Sequence, residues 1–193
     1  MKKIIPALIF MSGIFANMSC GHNSKGDNNN KNDSAFYPIS PYIIQQTKVL
    51  DSALLAIVHY RTENGKTDTS ILDKPAFHEI AKEFTTPDIN DPAVKPKFTE
   101  DAFADATIGT ITFTYTSNDP DFPLWKASVL LNKDDMRVIY VYMEKQMINS
   151  DSTVLKKMIW KTDSNCQISS IIRKKGQPDK DIVDKFVWDE SKH

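Results

Sequence analysis

The sequence has little of what marks a disulfide framework, a phosphate-binding loop or a strongly charged protein. It contains two cysteines and six glycines in 193 residues, and its formal net charge at pH 7 is −1. This charge balance gives no electrostatic reason to expect nucleic-acid binding. Neither a glycine-rich phosphate loop nor a GxSxG nucleophile turn occurs. No motif indicates a cofactor.

A long apolar run is also missing, because the apolar residues 4–15 are fewer than the roughly 20 that span a bilayer. Lys2 and Lys3 precede this run, and Ser19 follows it as the small residue that a peptidase needs before its cut. This order is typical of a secretory signal peptide. A plain signal peptide cut after Ala16 would leave Cys20 as a free thiol.

The stretch NMSC at 17–20 resembles the lipobox of bacterial lipoprotein signal peptides. The resemblance implies that Cys20 receives a diacylglyceryl group and becomes the acylated N-terminus, with palmitate-type chains that attach the protein to a lipid bilayer. Gly21 stands where Asp signals retention in the inner membrane in some lipoproteins. The resemblance therefore implies an outer-membrane lipoprotein that faces the periplasm.

Composition divides the chain into three parts. Residues 1–19 form the predicted signal peptide, and residues 20–38 form the acylated cysteine and a flexible tether. Residues 21–34 include no aliphatic or aromatic side chain, so they cannot offset the entropy of ordering. Their root-mean-square reach is about 20 Å. The rest, residues 39–193, is long enough for one domain with a core.

Two helices are predicted before residue 87. Ser40 as N-cap and Pro41 as first residue predict a helix over 41–60 with Leu54 in its apolar stripe. We therefore expect Leu54→Ala to cost about 2–5 kcal/mol. The following polar stretch TENGKTDTS is predicted as a loop. The second helix opens at Asp73 and stops before Pro87.

The period of the apolar residues changes from about 3.6 to 2 at residue 107. A short helical turn is predicted at 99–103, just before this change. Six alternating segments joined by short polar turns then follow, which favours an antiparallel meander. The predicted fold class is α+β, with two N-terminal helices packed on a curled antiparallel sheet of about six strands.

The histidines and cysteines offer few catalytic or metal-binding patterns. Lys82 occupies the position where a zinc-protease helix that begins at His78 would need its second His, and no metal site is predicted. His59 and His78, placed on separate helices, could form a joint site or be two ordinary helix residues. Cys166 is expected to be buried and inert rather than nucleophilic.

Aromatic and basic residues on the predicted strands suggest a surface for a ligand or a partner. Tyr140 and Tyr142, predicted to lie opposite Ile139 and Val141, are the candidate residues for it. A basic cluster in the last strands could meet anionic headgroups, or could be the ordinary charged face of a sheet. Its members are Lys145, Lys156, Lys157, Lys161, Arg173, Lys174 and Lys175.

Two functions are compatible with these observations. The first is a membrane-anchored envelope lipoprotein that acts as a non-catalytic binding or assembly module, whose partner is an envelope protein or an apolar ligand. The second is a periplasmic hydrolase that uses dispersed carboxylates or the pair His59 and His78. Two titratable groups within hydrogen-bond reach in a pocket would favour the hydrolase.

Overall fold

A computed structural model describes residues 35–191, so the predicted signal peptide, Cys20 and most of the tether lie outside the described residues. Within that part of the chain, neither helix is long and apolar enough to cross a membrane. The elements are α1 (Ile39–Ser52), β1 (Ile57–Glu63), β2 (Lys66–Leu72), α2 (Lys74–Thr85), β3 (Phe98–Asp105), β4 (Thr110–Ser117), β5 (Leu124–Asn132), β6 (Val138–Ile148), β7 (Ser152–Lys161), β8 (Asn165–Lys174) and β9 (Lys180–Val187), with a 3-10 turn at Lys95–Lys97.

The sheet has nine strands in the order β2-β1-β9-β8-β7-β6-β5-β4-β3, and every neighbouring pair is antiparallel. The six segments predicted after residue 107 are present as β4–β9. The predicted fold class is nevertheless wrong, because those strands are only part of a larger sheet and the protein is mostly β. The helices are also not consecutive, since the β1–β2 hairpin separates them.

The predicted first helix ends early, and its C-terminal part is a strand. α1 stops at Ser52, and Ile57–Glu63 pairs with both β2 and β9. The predicted loop contains Asn64 and Gly65, whose φ angles of 51° and 76° form the tight turn of the β1–β2 hairpin. Asn-Gly is the most favoured dipeptide for such a turn, because both positions need a positive φ.

The second helix lies where the sequence predicts it. The Asp73 side chain accepts a hydrogen bond from the Ala76 backbone N–H at 2.7 Å, which caps the first turn. Ser40 was predicted to cap α1, but it lies inside the helix. Its hydroxyl donates instead to the Thr85 carbonyl at the end of α2, at 3.0 Å. The bond joins the start of α1 to the end of α2.

The core lies between the helices and one side of the sheet, which we call the inner face; the other side is the outer face. Trp160 of β7 is fully buried there, and the ring centroids of Phe77 and Phe84 from α2 lie 5.8 and 5.3 Å from it. Just before α1, Tyr37 donates its backbone N–H to the Tyr115 hydroxyl of β4 at 2.8 Å. The helices are therefore held to the sheet by aromatic packing and a few specific hydrogen bonds.

Three local predictions fail for identifiable reasons. The predicted helical turn at 99–103 belongs to β3, which pairs with β4 along its whole length. Alternation along β5 predicts that Trp125 shares a face with Ala127 and Val129, but a register shift between Leu124 and Lys126 displaces it, and its side chain is exposed. Leu54 is fully exposed, because it lies after the end of α1.

The stability effects of Phe84→Ala and Leu54→Ala should therefore differ strongly. Phe84 is fully buried against Trp160, so its truncation should lower the free energy of unfolding by about 3–5 kcal/mol. Leu54→Ala should stay within about 0.5 kcal/mol of the parent chain. Urea unfolding of both variants measures the difference, and equal losses would contradict this placement of α1.

Candidate functional site

Towards one end of the central strands β6 and β7, the buried apolar residues of the inner face are followed by charged residues. Along β6, the inner-face residues Val141 and Met143 are buried, and the next inner-face residue is Lys145. Along β7, Trp160 and Met158 are buried, and the next inner-face residue is Lys156. Each strand thus carries a lysine where the alternation predicts an apolar side chain.

Two cavities lie against this part of the inner face, and Glu83 and Lys156 line both of them. The first, which we call the proline-walled cavity, has a volume of about 430 Å³ and includes Pro87 and Pro123 in its wall. The second, which we call the His59 cavity, has a volume of about 230 Å³. An ion pair between Glu83 and Lys156 therefore belongs to both sites.

The walls of the proline-walled cavity are mainly apolar. Met147 and Val154 are opposite each other in the β6–β7 register and line the cavity from the sheet. Pro87, just after α2, and Pro123, just before β5, complete the apolar part. Small-molecule pockets typically have volumes of about 300–1,000 Å³, apolar walls and a few fixed polar groups. This cavity has that character.

The polar end of the same cavity holds two facing lysines. Lys145 is directly opposite Lys156 in the register, and Lys156 pairs with the Glu83 carboxylate. The Lys145 ammonium donates to the backbone carbonyls of Glu83 and Thr86, and so caps the C-terminal end of α2. The pKa of Lys145 is lowered to about 8, mainly by burial; the Glu83 carboxylate opposes this shift, and the nearby Lys156 ammonium adds to it.

The His59 cavity is built around one carboxylate. His59 Nε2 lies 2.8 Å from Asp184 Oδ1, and Arg61 Nη1 donates to both oxygens of the same carboxylate at 3.0 and 3.2 Å. The His59 ring stacks on Phe186 with centroids 4.5 Å apart. The side chains of His59 and Asp184 are each 18% exposed. A histidine positioned by a carboxylate is an arrangement that can carry out general acid–base chemistry.

The two histidines that could have formed a joint site are not brought together by hydrogen bonding. His59 lies on β1, not on a helix, and bonds Asp184. His78 lies on α2, as predicted, and its Nε2 is 2.8 Å from Asp51 Oδ1 of α1. The two rings also line different cavities. Over residues 35–191, no group of three His, Cys, Asp or Glu side chains could hold a metal ion.

Tyr140 and Tyr142 lie side by side on the outer face, away from both cavities. The Tyr142 hydroxyl donates to Glu144 Oε1 at 2.9 Å, and burial together with that carboxylate raises the pKa of Tyr142 to about 12. Tyr140 lines a separate cavity of about 410 Å³ near the turn between β7 and β8. Ile139 does not lie with Val141, because it is skipped in the β5–β6 register. The role of Tyr140 and Tyr142 as a ligand surface stays a prediction.

Cys166 is fully buried opposite Trp160, and burial raises the pKa of its thiol. The expectation that it is a buried residue is confirmed. Its raised pKa keeps it in the thiol form, which is neither a good nucleophile nor a good metal ligand.

The predicted basic cluster is divided between the two faces of the sheet. Lys157 and Lys161 share the outer face, whereas Lys145 and Lys156 face inward. The sequence contained the signal for this division, since Lys145 and Lys156 occupy positions in phase with Met143 and Met158. The cluster is therefore not one surface.

No protein-family model matches this chain, and neither the curated proteins nor the solved structures include a significant match.

Proposed function

We propose that this chain is a membrane-tethered binding module whose binding site is the proline-walled cavity. The observation that carries the proposal is the cavity itself. It combines about 430 Å³ of space and apolar walls with polar groups at one end that are engaged in bonds to neighbouring residues. Lys145 acts as a helix cap and Lys156 as an ion-pair partner, which suits a binding role better than a reactive one.

The tether in this proposal is the acylated Cys20 with the polar residues that follow it. Stable membrane attachment needs two or more acyl chains, because one chain binds reversibly. The lipobox resemblance of residues 17–20 supplies the chemistry for that attachment, and the spacer predicted from composition would keep the folded body near the headgroups. An outer-membrane location facing the periplasm is part of the same proposal.

A hydrolase is the second candidate, and the His59–Asp184 contact is the observation that favours it. The two groups are 2.8 Å apart and line a cavity, which meets the geometric condition for an acid–base pair. Arg61 occupies both oxygens of the carboxylate as well. A hydrolase of this kind would lose turnover in His59→Gln and keep it when the proline-walled cavity is filled.

Filling the cavity tests the binding site. The mature chain 20–193 carrying Cys20→Ser keeps all the described residues and has no lipid. It should bind the neutral dye N-phenyl-1-naphthylamine with a gain in fluorescence. Val154→Trp, which puts an indole into the cavity, should reduce dye affinity at least about tenfold. Thr153→Trp, on the outer face of the same strand, is the matched control. Equal dye binding by both variants would exclude this cavity as the site.

Mass spectrometry of the mature N-terminus tests the tether. The protein isolated from bacterial envelopes should begin at Cys20 and carry the mass of a diacylglyceryl thioether. Cys20→Ser should lack that mass and should leave the detergent phase in a two-phase partition. An unmodified N-terminus in the parent chain, at Cys20 or elsewhere, would show that the protein is not anchored in this way.

A further inference from the structure

The proline-walled cavity contains an unusual pair of like charges. Lys145 and Lys156 are directly opposite each other on adjacent strands, and both side chains point to the inner face. Like charges in directly opposed positions of a sheet destabilise the pair of strands. The Lys156 side chain is only 18% exposed, so solvent screens this repulsion poorly.

The neighbouring acidic groups neutralise only part of this charge. Glu83 pairs with Lys156. Lys145 donates to the carbonyls of Glu83 and Thr86, which are dipoles and carry no full charge. Lys82, at the rim, pairs with Glu79 at 2.5 Å. Glu83 and Glu79 together supply two carboxylates against the three lysines of the cavity lining, so the polar end carries a positive surplus of one charge.

The other end of the cavity has the opposite character. Met147 and Val154 are directly opposite each other on β6 and β7, and Pro87 and Pro123 line the same cavity. Met147 is 45% exposed, an exposed apolar side chain at the cavity wall. Removing apolar surface of this kind from water is favourable. One cavity thus joins a positive end to an apolar wall.

We infer that the proline-walled cavity binds a single-chain anionic amphiphile, with its carboxylate or phosphate head at Lys145 and Lys156 and its acyl chain against Met147 and Val154. This inference rests on the proposed function, because it names the ligand class of the same cavity. The anionic head relieves the repulsion between the facing lysines and makes charge-assisted hydrogen bonds. The chain buries the exposed apolar wall.

Displacement of N-phenyl-1-naphthylamine by four twelve-carbon compounds tests the inference on the unlipidated chain. Dodecanoate and dodecyl phosphate carry the anionic head, dodecanol is neutral, and dodecyltrimethylammonium is cationic. All are used at pH 7 at concentrations where they are dissolved as monomers. The two anionic compounds should displace the dye at concentrations at least about tenfold lower than dodecanol, the gain of one charge-assisted contact. The cationic compound should bind weakest.

A pair of neighbouring lysines supplies the matched control. Lys156→Met should reduce the advantage of dodecanoate over dodecanol to about threefold or less, whereas Lys157→Met, on the outer face of the same strand, should leave it unchanged. If Lys156→Met does not fold, ¹³Cε signals of the parent chain replace it. Dodecanoate should shift the signals of Lys145 and Lys156 and leave that of Lys157 in place.

The outcomes separate this inference from the proposed function. Equal displacement by dodecanoate and dodecanol would overturn the inference and leave an apolar binding site. No displacement by any compound, with dye binding also indifferent to Val154→Trp, would overturn both. Tighter binding of dodecanoate than of dodecyl phosphate would identify a free fatty acid as the source of the head. The reverse order would identify a phosphate lipid. Either order supports the inference.

Discussion

The limited cover that two short helices can give to a nine-stranded sheet determines the rest of this structure. Nine strands at about 4.8 Å spacing make a sheet about 40 Å wide. The helices have 14 and 12 residues, so they are about 20 Å long and about 10 Å across. They bury the part of the inner face around Trp160 with Phe77 and Phe84 and leave the ends of the central strands open. Inner-face side chains there meet solvent.

Charged side chains lie on the inner face near the end of α2, and Glu83 is the residue that joins them. This residue, near the end of α2, pairs with Lys156 and offers its carbonyl to Lys145. On the other side of the same ion pair lie His59 and Asp184. One helix end therefore anchors both cavities, and a change in the position of α2 would alter both. The apolar wall and positive end of the larger cavity suit an amphiphile, and an acylated N-terminus would keep the protein where amphiphiles are abundant.

Alternation and capping predict part of this architecture. β4–β9 follow a largely alternating sequence, interrupted by the register shifts beside Trp125 and Ile139, and Asp73 marks the start of α2. The Asn64-Gly65 signal for a hairpin is equally clear, but the apolar spacing that continues to Ile57 favours a helix over the same region. β1 nevertheless forms a strand, because its β-branched and aromatic residues favour one and because β9 pairs with it. β3 has little strand propensity of its own and depends on its register with β4.

The site is predictable only in part. Lysines in phase with buried methionines on β6 and β7 indicate inward-facing charge. Their partner Glu83 is 73 residues from Lys156 in the sequence, so only the packing of α2 reveals the pair. The same holds for His59 and Asp184, which are 125 residues apart. Long-range pairing of this kind has no local sequence signal.

The most direct test of the account is the identity of what the cavity retains. The unlipidated chain is incubated with a bacterial lipid extract and repurified, and its bound molecules are identified by mass spectrometry beside those of Val154→Trp. The account predicts that the parent chain retains a single-chain anionic amphiphile that the variant does not. Recovery of no lipid from the parent chain, or of the same lipids from both proteins, would contradict it.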